Sequence, residues 1–256
     1  MNWEALDITI LGPAFLTGVV VLATHVPLGR KVLERGIIFL DLAVAQMAGL
    51  GVIAAHSLGI DAEGAGVQIA AFATAIIGAF ALYWIEERWA EVQEAIIGSA
   101  FVLAATAAIL LLANDPQGGE HLKELLVGQI LWSDYSSLGM PIIVSLSVLI
   151  AWFVLKAQRN AAAFYGLFAI SITVAVQMVG VYLVFASLII PALGSRSFPE
   201  KSKLPAAYGI GAAGYGIGLV LSALLDLPAG PAIVWMLAIV AGTAVFINSQ
   251  VNQDFE

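Results

Sequence analysis

Two polar side chains interrupt an apolar run at residues 37–51, IIFLDLAVAQMAGLG. Asp41 brings a carboxylate and Gln46 an amide, and every other residue of the run is apolar, Gly or Ala. If the run is a membrane helix, its carboxylate costs about 2.5–3.5 kcal/mol on insertion scales and is a functional candidate by default. The chemistry to consider is therefore the passage of a cation.

Helical geometry relates these side chains to their neighbours. Asp41 follows Arg35 by six residues, which is about 9 Å along a helix axis. His56 falls about 60° around the axis from Asp41 and about 22 Å further along. Gln46 falls about 140° from Asp41, so these two side chains point into different crevices.

Each candidate has an alternative interpretation. For Asp41 a role on a cation path is favoured over a helix-packing carboxylate satisfied by hydroxyls, backbone groups or Arg35. For Gln46 hydrogen bonding between helices is the favoured interpretation.

Glu94 opens an apolar run, and we expect it to cap the amino end of that helix, where the dipole favours an anion.

A second polar group follows the run. His56, with Asp61 and Glu63 after it, forms a candidate cation site, although a solvated loop is the favoured interpretation. His121 lies between Glu120 and Glu124, where a polar helix face at the interface is favoured over a cation ligand.

The composition identifies the elements that must position these residues. Of 256 residues, 61% are hydrophobic and 11% are charged, and the mean hydropathy is +0.98. Soluble domains carry roughly a quarter charged residues. The chain therefore has too few charges to cover a water-soluble surface, and we expect an all-α integral membrane protein.

Several function classes are excluded. The sequence has no cysteine, which rules out disulfide scaffolds, thiolate metal sites and cysteine catalysis. It has no Walker, HExxH or GxSxG motif, so the chain is not expected to hydrolyse ATP or to be an enzyme. The net charge of −8 gives no reason to expect nucleic-acid binding.

Apolar runs of about 17–25 residues are long enough to cross a membrane as helices. The sequence predicts eight or nine spans in one transmembrane domain, 1–256, with the first span retained because no cleavage site follows it. Two short candidates meet at Gly180, as a hairpin or a broken helix. The candidate spans are 8–28, 36–57, 65–85, 94–113, 137–156, 161–178, 180–195, 205–225 and 229–248. Residues 118–132 predict a short amphipathic helix at the interface.

The basic residues predict the orientation. With nine spans, nine of the ten lie in loops on one side, and only Lys123 lies on the other. Basic loops are typically cytoplasmic, so the amino end is expected outside and the carboxyl end inside. The nine are Arg30, Lys31, Arg35, Arg88, Lys156, Arg159, Arg196, Lys201 and Lys203.

Four stretches in order along the chain resemble the permease subunits of metal-type (zinc/manganese/iron) ABC importers. The most distinctive is VQMVGVYLVFASLIIPALGSR, and the others are HVPLGRKVLERGIIFLDLAVAQMAGLG, EAIIGSAFVLAATAAILLL with GGEHLKELLVGQILW, and DLPAGPAIV. They occupy 176–196, 25–51, 94–112 with 118–132, and 226–234.

The resemblance implies a type II ABC importer-like permease that imports a divalent transition metal, zinc or manganese, as its transported ion. It implies a homodimer in the bacterial inner (plasma) membrane, a cytoplasmic ATP-binding subunit and a periplasmic metal-binding protein. It also implies a metal pathway at Asp41. From the residues themselves we expect Gln46 as a polar neighbour and His56, Asp61 and Glu63 at the outer mouth.

The sequence departs from the family pattern at two places. The family commonly has a histidine one turn after the carboxylate of the second span, and here that residue is Ala45. The loop 155–166, LKAQRNAAAFYG, lacks the family's Asp-Pro-x-x-Ala-x-x-x-Gly-like coupling helix. Either coupling passes through the 30–36 and 86–93 loops, or the protein is a passive metal pathway or regulatory subunit without ATP coupling.

Overall fold

The computed structural model describes residues 6–60, 64–113 and 115–253. The described residues form nine α-helices and two short 3₁₀ helices, at 90–92 and 130–132, with no strand. The helices are α1 (Ile8–Arg35), α2 (Leu40–Ser57), α3 (Ala65–Arg88), α4 (Gln93–Leu112), α5 (Gly118–Val127), α6 (Gly139–Val154), α7 (Ala161–Gly194), α8 (Glu200–Leu225) and α9 (Ala229–Gln253).

Helix α1 is longer than predicted. Asp7 caps its amino end by accepting a hydrogen bond from the Thr9 amide at 2.8 Å. The helix continues past residue 28 to Arg35 and ends at Gly36, whose φ of 74° is the left-handed conformation that glycine adopts easily. The basic segment predicted as a loop is thus helical, and Lys31 pairs with Glu34 within it at 3.0 Å.

The helices suit a lipid environment. Among the described residues, seven helices are long and apolar enough to cross a membrane, and α6 is a shorter apolar helix of 16 residues. Large apolar side chains cover much of the outer surface, among them Ile69, Leu110, Ile143 and Trp235. Lipid solvates such a surface and water does not. The chain is therefore a multi-pass membrane protein, while the predicted number of eight or nine spans stays a prediction.

Helix α7 bends sharply at Gly180, where φ is 77° and ψ is 163°. On one side of the bend, the Arg35 guanidinium lies 4.6 Å from the centre of the Phe164 ring. On the other side, Leu188 packs directly on Gly29. A straight helix would separate residues 164 and 188 by about 36 Å, whereas residues 29 and 35 of α1 lie only about 9 Å apart. The chain therefore turns back at Gly180 towards the same end of α1.

A second glycine makes this bend possible. Gly128, which follows α5, has φ 70° and ψ 177° and lies directly against Gly180. A Cβ on either glycine would overlap the backbone of the other segment. This region of φ and ψ is essentially restricted to glycine. The two glycines therefore fix where α5 meets the bend of α7.

Helix α7 is the centre of the bundle. It packs against α1, α2, α3, α5, α6, α8 and α9, and most of its side chains are buried. Its aromatic residues Phe164, Tyr165 and Phe168 are fully buried. Helix α2, which carries Asp41 and Gln46, packs between this centre and helices α3 and α4.

Candidate functional site

The two ends of the bundle differ in chemistry. We call one the basic end, where Arg30 pairs with Glu200 and Arg35 pairs with Glu86. We call the other the histidine end, where His56 and His121 line a common cavity. Asp41 and Gln46 lie on α2, the helix that runs from the basic end to the histidine end.

Asp41 lies in the first turn of α2 and is fully buried. Within the described residues, neither of its carboxylate oxygens has a hydrogen-bond partner. Arg35, the basic residue considered as a partner, instead contacts both oxygens of Glu86 at 3.2 Å. Buried polar atoms are nearly always paired. The carboxylate of Asp41 therefore lacks the hydrogen-bond donor or cation that a buried carboxylate normally has beside it.

The Arg35–Glu86 pair belongs to a network that joins four helices. The Arg35 guanidinium lies over the Phe164 ring, which links α1 to α7 as well as to α3. Next to it, the Gln93 side-chain amide donates to the Tyr165 hydroxyl at 2.8 Å, which links α4 to α7. The sequence does not reveal this network because its members are far apart along the chain.

Glu94 lies in the first turn of α4, where the dipole favours an anion, but it makes no capping hydrogen bond to that helix. Val92 is the residue that precedes α4, and it makes no side-chain capping bond. The Glu94 carboxylate instead accepts a hydrogen bond at 3.1 Å from the amide of Phe39, the residue that precedes α2. An anion is favourable at either amino terminus. The packing of α4 on α2 places this one carboxylate next to both termini.

Gln46 lies beside a cavity of about 620 Å³. Its side-chain oxygen is buried and has no hydrogen-bond partner among the described residues. Asp41 is not among the lining residues, in keeping with the predicted angular separation of the two side chains. The other walls are largely apolar and include Leu42, Phe101, Tyr182, Phe185, Pro231 and Trp235.

His56 and His121 share a cavity of about 360 Å³ at the histidine end. Their ring centres are 5.8 Å apart. His121 Nδ1 lies 3.3 Å from a carboxylate oxygen of Asp115. The cavity is also lined by the polar side chains of Gln68, Glu124, Gln129 and Gln177. The sequence favours a polar helix face at the interface for His121, and the position of His121 next to His56 depends on the packing of α5.

Two further predicted site residues cannot be placed. Asp61 and Glu63 lie outside the described residues. Ala45, where the family pattern has a histidine, is fully buried. Among the described residues, no group of three or more His, Cys, Asp or Glu side chains is arranged to hold a metal ion. Asp41, Gln46 and His56 lie at separate positions along α2, and their place on a metal pathway stays a prediction.

The connection between α6 and α7 consists of residues 155–160 and contains no helix. Close by at the basic end, Arg30 of α1 pairs with Glu200 of α8 at 2.8 Å. Gln158 of the short connection lines a cavity of about 360 Å³ together with both of these residues. The surface here is therefore formed by the ends of α1 and α8 together with the short connection, in which Gln158 and Arg159 are exposed.

Comparison with known proteins gives a consistent result. The profile of the ABC 3 transport family matches residues 7–248. The high-affinity zinc uptake system membrane protein ZnuB of Haemophilus influenzae is 26% identical over 246 residues, which is 88% of this chain and 92% of that protein. A protein of Thermotoga maritima named as a probable metal transport system membrane protein is 25% identical over 256 residues, covering 90% and 87% of the two chains.

The fold has a close solved counterpart. The structure of PsaBC from Streptococcus pneumoniae in complex with Fab superposes with a TM-score of 0.73. The match covers 96% of each chain at 22% sequence identity. At this identity the similarity establishes the fold alone.

Proposed function

Because the chain belongs to the ABC 3 transport family, we propose that it is the membrane permease subunit for inward transport of a divalent transition metal, zinc or manganese. The observation that carries the proposal is the match over nearly the whole chain, together with relatives named for zinc uptake and metal transport. ATP hydrolysis then belongs to a separate subunit, since the sequence has no Walker motif.

The proposal includes an assembly and an orientation. Two copies of the domain 1–256, each with eight or nine spans, form a pathway in the bacterial inner membrane. An ATP-binding subunit docks at the basic end, and a metal-binding protein docks at the histidine end. The amino end is outside and the carboxyl end is inside. The positive-inside bias of the basic residues supports this orientation.

Asp41 is the residue that we assign to the pathway. Its buried carboxylate lacks a partner among the described residues, so a passing cation would supply one. Gln46, which lines the neighbouring cavity, is a polar neighbour and a weaker ligand for a transition metal. Transport follows an alternating-access cycle in which the partner ATPase drives the exposure of this region to one side at a time.

Uptake of Zn²⁺ or Mn²⁺ by cells tests this assignment. The Asp41→Ala variant is expected to reach the membrane normally and to lose metal uptake. The matched control is Glu120→Ala, which removes an exposed carboxylate on α5, away from the basic end. Normal uptake by a correctly inserted Asp41→Ala variant would remove Asp41 from the pathway.

One observation favours a second candidate function, a passive pathway or regulatory subunit. The connection 155–160 contains no helix that could couple the protein to an ATPase. Co-purification with the nucleotide-binding subunit separates the two candidates. A stable complex whose ATPase activity rises on adding metal supports the pump, and no complex supports the uncoupled protein.

A further inference from the structure

A largely apolar groove lies on the surface of the bundle between the end of α7 and the second half of α9. Its volume is about 710 Å³, which is within the range of about 300–1,000 Å³ typical of small-molecule sites. Gly194 of α7 lies so close to Ala241 of α9 that a Cβ on the glycine would overlap it, and this contact forms the floor. The apolar side chains around the floor are those of Ile190, Leu193, Ala238 and Val245.

The polar side chains of the described lining are at one end of the groove. They belong to Arg196 and Ser197, which follow directly after α7 in the connection to α8. The Asn248 side-chain amide of α9 donates to the Ser197 carbonyl at 2.9 Å and holds α9 against this connection.

The apolar part of the groove matches the depth of one leaflet. It follows α9 from Val245 back to Ala238, which is about 10 Å along the helix. One half of a hydrocarbon core of about 30 Å is about 15 Å thick. The groove therefore reaches about two thirds of the way through the leaflet at the basic end, with its polar end at the headgroups.

The charge of the groove selects an anion. Arg196 is exposed and takes part in no ion pair among the described residues. No Asp or Glu of the described chain lines the groove. Arginine binds phosphate through two parallel hydrogen bonds, and basic pockets between membrane helices bind the headgroups of anionic lipids. A cation next to an apolar groove is therefore complementary to an anionic phospholipid.

We propose that this groove binds one anionic phospholipid from the leaflet at the basic end. The Arg196 guanidinium and the Ser197 hydroxyl hold the phosphate, and an acyl chain lies over Gly242 between Leu193 and Val245. The lipid joins the ends of α7 and α9 and so stabilises their packing. This site is separate from Asp41, and its occupation does not depend on the ion that the protein transports.

A second copy of the chain is the other candidate occupant. Homo-oligomers are usually symmetric, and an interface about a two-fold axis places the same patch on both sides. Two copies side by side in a membrane have each residue at the same depth, so this interface would bring two Arg196 side chains together. The described lining has no carboxylate to neutralise them. Like charges across an interface are unfavourable, so the groove fits an anionic lipid better.

Native mass spectrometry of the purified full chain in detergent counts the bound lipids. The probes are phosphatidylglycerol and phosphatidylcholine with the same acyl chains, which differ in net charge. Inorganic phosphate alone, followed by thermal unfolding, is the probe for a free anion. Arg196→Gln removes the cation of the groove. Its matched control is Arg159→Gln, which removes an exposed cation of the connection before α7 that does not line the groove.

We expect the wild type to bind one phosphatidylglycerol in preference to phosphatidylcholine, and the bound lipid to raise the unfolding temperature. Arg196→Gln should weaken phosphatidylglycerol binding by about fivefold, which corresponds to about 1 kcal/mol for one basic residue next to anionic headgroups. Binding of phosphatidylcholine should not change. Arg159→Gln should bind both lipids as the wild type does.

A second substitution tests the apolar part of the groove. Gly242 lines the groove, and a Cβ there would meet no neighbouring atom, so Gly242→Leu fills the groove without a clash. This variant should no longer retain phosphatidylglycerol. The matched control is Gly209→Leu on α8, where a Cβ also meets no atom and where the residue does not line the groove.

Equal binding of phosphatidylglycerol by the wild type, Arg196→Gln and Gly242→Leu would overturn the proposal. Equal stabilisation by inorganic phosphate and by phosphatidylglycerol would overturn it as well, since the site would then bind an anion without a lipid. A dimer that becomes a monomer in Gly242→Leu, with unchanged lipid binding, would assign the groove to a second copy. Because the assay uses this chain alone, a failure of metal transport leaves the lipid site standing.

Discussion

Three carboxylates near the basic end show how packing gives the same chemical group different roles. Glu86 is paired with Arg35, Glu94 caps the start of α2, and Asp41 has no partner among the described residues. The sequence singles out Asp41 because its neighbours are apolar. It does not distinguish the other two, because their partners Arg35 and Phe39 are more than fifty positions away.

The Arg35–Glu86 pair is predicted to stabilise the bundle. The Glu86 side chain is only 26% exposed, so Glu86→Gln leaves the Arg35 guanidinium largely buried without its anion. We expect a loss of about 1–3 kcal/mol in the free energy of unfolding. Thermal unfolding of the purified variant in detergent checks this expectation.

Glu200→Gln provides the comparison for this experiment. Glu200 also pairs with an arginine, Arg30, but its side chain is 73% exposed. Exposed ion pairs contribute little, so this variant should unfold at the wild-type temperature. Equal destabilisation by the two substitutions would show that burial does not set the strength of these pairs.

At the scale of elements, apolar run length predicts the positions of the helices, and packing sets their ends. The predicted segments 65–85, 94–113 and 137–156 agree with α3, α4 and α6 to within three residues at each end. The ends of α1 and α8 extend further because charged residues there pair with one another, as Arg30 does with Glu200. Gly180 was recognisable as the meeting point of two short runs, but its partner Gly128 was not.

The contact between Gly128 and Gly180 predicts the effect of a substitution at the bend of α7. Gly180→Ala places a Cβ in the backbone of residues 127–128 and forces a side chain into a glycine-only conformation. We expect severe loss of folded protein in the membrane, because neither segment can move away without displacing α7. The yield of monodisperse protein and its thermal unfolding measure the effect.

Gly209→Ala is the matched control for this change. Gly209 lies within α8, and a Cβ there would meet no neighbouring atom. Alanine in a helix interior is favoured over glycine by roughly 0.5–1 kcal/mol, so this variant should be at least as stable as the wild type. If Gly180→Ala behaves like Gly209→Ala, the bend of α7 does not depend on a glycine.

At the scale of the whole molecule, composition and four short stretches were enough to predict a helical membrane permease. The family resemblance is confirmed by the match over residues 7–248. The cavities could not be predicted in the same way, because each combines side chains of several helices. His56, His121 and Gln177, for example, come from α2, α5 and α7.

The proposed orientation predicts which loops face the outside of the cell. Because the sequence has no cysteine, a single introduced cysteine can be labelled specifically. A single cysteine at Lys123→Cys should react with a membrane-impermeant maleimide in intact cells. A single cysteine at Lys201→Cys should react only after permeabilisation, since position 201 is at the basic end. The reverse pattern would contradict the orientation with the amino end outside.

The central claim is that this chain carries a divalent metal across a membrane at the expense of ATP hydrolysed by a partner. The most direct measurement is Zn²⁺ accumulation in proteoliposomes that contain the chain, its ATP-binding subunit and its metal-binding protein. We expect accumulation that requires ATP and is lost with Asp41→Ala. Zn²⁺ movement that proceeds equally without ATP, or no movement in an intact complex that hydrolyses ATP, would contradict it.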